Sequence, residues 1–321
     1  MKARSPSSAT PASPALPPAP APAPPVSPVP AASRWWRLGL LVAGAALLAW
    51  RWPWLRVPLT AGVLLVLLLA WFQSRLIYLP PHHPQGARPL GPAGVMVIAY
   101  RLLDAPQQAY YIPPRQPSIA GRLWLVFSGN ASGALDWGSF VQACPDEHAA
   151  FLLIDYPGYG ANGGAPSPES IQTGTAEALG ALAAQLGLSP EALAPRCGVL
   201  GHSLGAAAAL AWAGAHPVAR IVLVAPFTSM LDMARRTVGW PLCQVLVHRF
   251  DNRGSLDRVL AAGAPPITIL HGTADQAIPV AMGRELAARH PRAVALVEVP
   301  GAGHNDILQV ADQAIYTAMM R

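Results

Sequence analysis

Short apolar runs recur through the last three quarters of the chain, and stretches with helical spacing separate them. Most runs are apolar at every position, which is typical of strands buried on both faces. They predict strands over residues 95–103, 110–112, 122–127, 149–154, 197–200, 221–224, 267–270 and 294–299. The intervening stretches predict helices over residues 134–143, 170–186, 206–215 and 307–319. This alternation predicts an α/β protein with a mostly parallel, doubly wound sheet.

Polar and glycine-rich clusters follow the carboxyl ends of the predicted strands. Gly129 and Asn130 follow the strand at 122–127, Ser203 follows the strand at 197–200, and Asp275 and His304 follow the last two strands. Ligands of open α/β sheets bind outside these strand ends. We therefore expect the clusters to converge on one rim of the sheet.

The first ninety residues follow a different pattern. Residues 5–30 consist almost entirely of proline, alanine and serine, which cannot bury a core and predict a disordered, partly polyproline-II tail. Two apolar stretches follow, at residues 38–50 and 59–72. Tryptophan is enriched where helices cross the membrane interface, and six of the ten tryptophans flank these stretches: Trp35, Trp36, Trp50, Trp52, Trp54 and Trp71. We predict an integral membrane anchor of two helices in a hairpin, with a single span over 57–72 as the open alternative.

These patterns divide the chain into three parts. Residues 1–33 form the tail, residues 34–79 the membrane anchor, and residues 80–321 a catalytic domain with a small cap at about 227–265. The cap carries apolar side chains, including Met233, Leu242 and Leu246. They either line a substrate pocket or simply pack on the domain.

The charge distribution bears on partners and on orientation. The net charge is +6, but only 12 % of residues are charged and 52 % are hydrophobic. Because the arginines cluster beside the apolar stretches, we attribute the excess to the membrane and expect no nucleic-acid partner. Three arginines flank the outer ends of the hairpin and two flank its turn: Arg34, Arg37 and Arg75 against Arg51 and Arg56. With two spans this balance predicts a cytoplasm-facing catalytic domain, and with one span an outward-facing domain.

The three cysteines, Cys144, Cys197 and Cys243, show no metal-ligand spacing and no disulfide framework. No metal and no organic cofactor is expected.

The sequence Gly201-His202-Ser203-Leu204-Gly205 lies between a predicted strand and a predicted helix. A G-x-S-x-G turn in this position places the serine hydroxyl above the edge of the sheet, where it acts as a nucleophile. The alternative is a glycine-rich turn with a solvated serine. His202 is expected to point away from the nucleophile across this sharp turn.

A serine nucleophile needs a base, an acid and an oxyanion hole. His304 is the candidate base, because Gly301 and Gly303 let its loop carry the imidazole over the serine. Asp275 is the candidate acid and Asp232 its rival. The oxyanion donors are expected to be the backbone N–H groups of Leu204 and Asn130. His271 is expected to pack or hydrogen-bond locally.

These motifs resemble the α/β-hydrolase superfamily: Ser203 in Gly-His-Ser-Leu-Gly, Asp275 in His-Gly-Thr-Ala-Asp and His304 in Gly-Ala-Gly-His. The segments 72–78, 155–160 and 225–229 resemble a membrane-anchored branch that includes the Bem46-like proteins and the abhydrolase-domain 12, 13 and 17 relatives. Two features depart from that branch. Ser128 stands where its oxyanion loop usually begins with histidine, and the proline-rich tail with a second span is not typical.

The resemblance implies serine-hydrolase chemistry through an acyl-enzyme, on a small-molecule or lipid substrate with an acyl ester or thioester. Two other functions remain open: a non-catalytic scaffold on a hydrolase fold, and a serine peptidase.

Overall fold

The computed structural model describes residues 32–81, 91–92, 94–116 and 121–321. The predicted tail lies outside them up to residue 31. Eight strands form one sheet: β1 (Met96–Leu102), β2 (Ala105–Ile112), β3 (Leu123–Phe127), β4 (Ala150–Ile154), β5 (Cys197–His202), β6 (Arg220–Val224), β7 (Ile267–Gly272) and β8 (Val294–Val299).

The strand order is β1-β2-β4-β3-β5-β6-β7-β8. Strand β2 runs antiparallel to both of its neighbours, and every pair from β4 to β8 is parallel. The predicted mostly parallel sheet is therefore confirmed. Its strands are buried on both faces: Leu125 and Val199 belong to one apolar cluster, and Val126 and Leu200 belong to another.

Eleven α-helices lie within the described residues: α1 (Ala32–Arg51), α2 (Arg56–Ile77), α3 (Gly138–Ala143), α4 (Pro168–Gln185), α5 (Pro190–Leu193), α6 (Leu204–Ala213), α7 (Met230–Val238), α8 (Asn252–Ala262), α9 (Val280–Arg289), α10 (Ile307–Val310) and α11 (Asp312–Met320). Residues of α4, α6, α8 and α9 bury one face of the sheet, and residues of α3 and α11 bury the other. The helix predicted over 134–143 begins as a 3-10 turn, Ala134–Trp137, and the helix predicted over 307–319 is interrupted at Ala311.

Between β6 and α8 the chain forms an excursion outside the core. A bridge between Ser229 and Asp251 closes the base of this excursion. Helix α7 and a 3-10 turn, Leu242–Val245, form its body. Helix α8 instead packs into the core through Leu256 and Val259.

Helices α1 and α2 precede the sheet and are joined by a 3-10 turn, Pro53–Leu55. Among the described residues, one helix is long and apolar enough to cross a membrane: Pro53–Ile77, in which an 18-residue stretch has a mean hydropathy of 2.1. The described apolar part of α1, Gly39–Arg51, is shorter. The second span of the predicted hairpin therefore stays a prediction.

Strand β5 and helix α6 touch where Ser203 joins them. A Cβ atom on Gly205 would lie 2.0 Å from the carbonyl oxygen of Phe127, and one on Gly201 would lie 2.2 Å from that of Gly205. Backbone atoms on both sides fill the space of a side chain. These positions therefore require glycine.

We expect Gly205→Ala to lower the stability by about 3 kcal/mol or more, because the added methyl group meets backbone rather than a movable side chain. Gly180→Ala in α4 is the matched control. Nothing lies within 4 Å of a Cβ there, so alanine should stabilise the helix by about 0.5–1 kcal/mol. Thermal unfolding in detergent, followed by circular dichroism, measures both. Equal midpoints for the two variants would contradict the close approach.

Candidate active site

Ser203 lies in the turn between β5 and α6 with φ +57° and ψ −118°. A positive φ is unusual for a residue with a side chain and is held only where the surroundings enforce it. The Ser203 N–H donates to the carbonyl oxygen of Val224 at 2.9 Å, which ties the turn to β6. The turn has the strand–serine–helix geometry that the sequence predicted.

The structure brings Ser203, His304 and Asp275 together, although they come from three distant segments. The Ser203 Oγ lies 2.9 Å from His304 Nε2, and His304 Nδ1 lies 2.7 Å from Asp275 Oδ2. The loops after β5, β7 and β8 supply the three residues. This arrangement can pass a proton from a hydroxyl to an imidazole that a carboxylate orients.

The side chain of Asp275 is fully buried. Its second oxygen, Oδ1, accepts hydrogen bonds from the N–H groups of Ala277 at 2.9 Å and Ile278 at 2.8 Å. Burial alone would raise the pKa of Asp275. Hydrogen bonds from His271, His304 and the Ile278 N–H outweigh it and hold the pKa well below its usual range. The carboxyl group is therefore ionised at neutral pH.

His271, which was expected to pack or hydrogen-bond locally, contacts the candidate acid Asp275. Its Nε2 lies 2.8 Å from the carbonyl oxygen of Ile278 and 3.5 Å from Asp275 Oδ2. Both neighbours are acceptors, so this nitrogen carries the hydrogen. His271 therefore holds the Asp275 loop against β7, and a histidine ending a strand four residues before the aspartate was the signal for it.

His202 does not point away from the nucleophile, as the sequence analysis expected. Its Nε2 donates to the carbonyl oxygen of His304 at 2.9 Å, and the two rings lie 4.9 Å apart. Burial and the neighbouring His304 lower the pKa of His202 to about 4. His202 is therefore neutral at physiological pH and supports the His304 loop. The expectation failed because the His304 loop folds back across the turn.

The predicted oxyanion donors, Leu204 and Asn130, line the same cavity as Ser203 and His304. Within the described part of the chain, neither backbone N–H donates to a protein acceptor. The Asn130 carbonyl oxygen accepts from the Leu79 N–H at 3.0 Å and from the Tyr159 hydroxyl at 2.7 Å. The loop that carries Asn130 is thus fixed from two sides.

Asp232, the rival acid, is engaged elsewhere. Its Oδ2 accepts from the hydroxyls of Thr228 and Ser229, both at 2.7 Å, and from Arg253 at 2.6 Å. These contacts hold the first turn of α7. The carboxylate has no contact with His304 in the described structure.

A cavity of about 340 Å³ opens beside Ser203, within the roughly 300–1,000 Å³ typical of small-molecule sites. Met233, Leu242 and Leu246 of the predicted cap line it. Four residues of α2 also line it: Leu69, Gln73, Leu76 and Ile77. Among the described residues, no Asp, Glu, Lys or Arg side chain faces the cavity. The site therefore suits an uncharged, apolar group.

Comparisons with known proteins agree with this architecture. A family model described as the alpha/beta hydrolase fold matches residues 125–244. Protein Rv2307c of Mycobacterium tuberculosis is 32 % identical over 257 residues, which cover 78 % of this chain and 88 % of that protein. The human alpha/beta hydrolase domain-containing protein 17C is 33 % identical over 190 residues, covering 59 % of this chain and 54 % of that protein.

Solved structures show the same fold at low sequence identity. The Pyrococcus furiosus esterase PF2001 superposes with a TM-score of 0.58 at 16 % identity, covering 76 % of this chain and 95 % of the esterase. The thioesterase domain of the curacin biosynthetic pathway has a TM-score of 0.52 at 12 % identity, covering 71 % of this chain and 99 % of that domain. The chain belongs to the α/β-hydrolase family. The motifs around Ser203, Asp275 and His304 indicated this family. Its relatives include protein 17C, as the segments 72–78, 155–160 and 225–229 indicated.

Because Asp275 and not Asp232 contacts His304, the two carboxylates should respond differently to removal of their charge. We expect Asp275→Asn to keep the fold and to lower ester turnover by about 10⁴-fold, since an amide stabilises the wrong tautomer of His304. Asp232→Asn is the matched control and should leave turnover nearly unchanged. Steady-state hydrolysis of a p-nitrophenyl ester measures both. A larger loss in Asp232→Asn would overturn the assignment of the acid.

Proposed function

We propose that this protein is a serine hydrolase that cleaves an acyl ester or thioester through Ser203, His304 and Asp275. The observation that carries the proposal is the continuous hydrogen-bonded line from the Ser203 hydroxyl through His304 to the buried Asp275 carboxylate. This line ends at the wall of an uncharged cavity.

In the proposed reaction, His304 Nε2 takes the proton of Ser203 while Oγ attacks the carbonyl carbon of the substrate. Asp275 accepts a hydrogen bond from the Nδ1–H of His304 and stays ionised, so it fixes the tautomer and stabilises the imidazolium. The N–H groups of Leu204 and Asn130 stabilise the oxyanion. His304 then protonates the leaving alcohol or thiol, and an acyl-enzyme remains on Ser203. Water, deprotonated by His304, releases the carboxylic acid. Each step uses only groups of the protein and water.

The lining of the cavity supports an acyl substrate over a peptide. A peptide substrate presents polar amide groups on both sides of the scissile bond, and these need hydrogen-bond partners when buried. The cavity beside Ser203 offers mostly aliphatic side chains instead. The esterase and thioesterase names of the structural neighbours agree with this substrate class but describe those proteins.

We also propose that α2 anchors the protein in a membrane. Its 22 residues extend for about 33 Å, and the hydrocarbon core of a bilayer is about 30 Å thick. Leucines along the helix, among them Leu64 and Leu68, are exposed and are not covered by other described parts of the protein. In this proposal residues 34–79 form the anchor, with α1 as a second span, and residues 80–321 form the hydrolase with its cap.

A fluorophosphonate probe tests the nucleophile. The full chain in detergent should be labelled, because the activated Ser203 attacks phosphorus as it attacks a carbonyl. Ser203→Ala should lose the label. Ser189→Ala, at an exposed helix cap, is the matched control and should keep it. Equal labelling of wild type and Ser203→Ala would overturn the nucleophile, and an unlabelled wild type would favour the non-catalytic scaffold.

Protease protection tests the orientation. With two spans, the balance of flanking arginines places the hydrolase domain in the cytoplasm. Protease added to sealed spheroplasts that express the protein should therefore spare residues 80–321, and detergent should expose them to digestion. A periplasmic domain of known location serves as the internal control. Digestion in sealed spheroplasts would establish the single-span, outward-facing arrangement.

A further inference from the structure

One wall of the cavity beside Ser203 comes from the proposed membrane anchor. Leu69, Gln73 and Leu76 lie on one face of α2, at the i, i+4, i+7 spacing of a helix. Residues on the exposed side of the helix, such as Leu68 and Trp71, do not line the cavity. The anchor therefore contributes directly to the shape of the site.

This wall is fixed to the catalytic domain. The side chain of Gln73 is buried, and its Oε1 accepts from the N–H of Val247 at 2.6 Å and from that of His248 at 3.3 Å. A second contact lies one turn further on, where the Asn130 side-chain amide donates to the Ile77 carbonyl oxygen at 3.4 Å. A buried glutamine that bonds across two segments holds them in register. Helix α2 and the cap thus form a single pocket.

The cavity opens between the anchor and the cap. Leu76 on α2 is 64 % exposed and Val238 on α7 is 36 % exposed, and both line the cavity, so its lining reaches the surface on both elements. We call this edge of the cavity its mouth. Trp71 and Arg75 project from the same turns of α2 toward the outside. Tryptophan and arginine at the end of an apolar helix mark the level of the membrane interface. With α2 in the membrane as proposed, the mouth faces the layer in which lipid acyl chains meet their headgroups.

We propose that this mouth admits, sideways from the bilayer, the acyl chain of a membrane-resident ester or thioester, and that Leu69 and Leu76 limit the chain length. The inference rests on the proposed hydrolase function and on the anchor. In this proposal the acyl chain passes from lipid into an aliphatic cavity without crossing water, and its polar carbonyl end remains near the interface and within reach of Ser203, which lines the same cavity. The chain of a soluble ester would instead have to cross the aqueous phase.

The pocket wall is tested with the full chain reconstituted in phosphatidylcholine vesicles. Leu76→Trp should narrow the mouth, because the larger ring occupies space that a long chain needs. We expect the ratio of p-nitrophenyl palmitate to p-nitrophenyl acetate turnover to fall about tenfold or more. Leu68→Trp is the matched control on the exposed side of the same helix and should keep the wild-type ratio. Leu69→Phe, deeper in the same wall, is the second variant if Leu76→Trp does not accumulate.

The lateral route has its own readout. When the vesicles are diluted in buffer at a constant mole fraction of p-nitrophenyl palmitate, turnover per enzyme should stay constant. When the mole fraction within the bilayer is lowered, turnover should fall. A rate that follows the bulk concentration would overturn entry from the bilayer.

Two further outcomes distinguish a failure of this inference from a failure of the proposed hydrolase function. If Leu76→Trp and Leu68→Trp have equal palmitate-to-acetate ratios and turnover still depends on Ser203, the role of α2 as a pocket wall is wrong, but the proposed function stands. Turnover that survives in Ser203→Ala would overturn the proposed function and this inference with it.

Discussion

Strand β5 and helix α6 are joined by a turn in which the backbone at Gly201 and Gly205 packs directly against other backbone atoms. This close approach fixes the position of Ser203. The space beside Gly201 and Gly205 is filled by carbonyl groups, so no other residue fits at either position. Ser203 between them is held at φ +57°, a conformation that costs about 1–3 kcal/mol. The surrounding parallel strands supply that energy through their packing. The same strands end at one rim, which is why loops from β7 and β8 reach the serine.

The ionised state of the Asp275 carboxylate depends on both its burial and its hydrogen bonds. Asp275 is fully buried, yet its pKa lies well below the usual range because His271, His304 and backbone N–H groups bond to the carboxylate. An ionised carboxylate in a low-dielectric site stabilises an imidazolium more strongly than one in water does. His202 stays neutral beside it and bonds to the His304 backbone, so it adds support without competing for the charge.

Much of this was predictable because the relevant signals are local. The buried strands are continuous apolar runs, and β8 has the predicted bounds Val294–Val299. Glycines marked the turn at Ser203. The contact of His202 with the His304 loop and the contribution of α2 to the cavity were not predictable. They depend on which face of one segment meets another far along the chain, and Gln73 pairs with a loop 174 residues away. The apolar sequence of α2 indicates that the helix can lie in a membrane, but it does not indicate that the helix lines a pocket.

In the proposed reaction, Ser203 carries the acyl group during turnover. The most direct test mixes the full chain rapidly with excess p-nitrophenyl ester, quenches in acid and analyses the peptides by mass spectrometry. We expect a burst of one p-nitrophenolate per active enzyme, with the added acyl mass on the peptide that contains Ser203. Turnover without an acylated intermediate, or with the acyl group on a different residue, would contradict it.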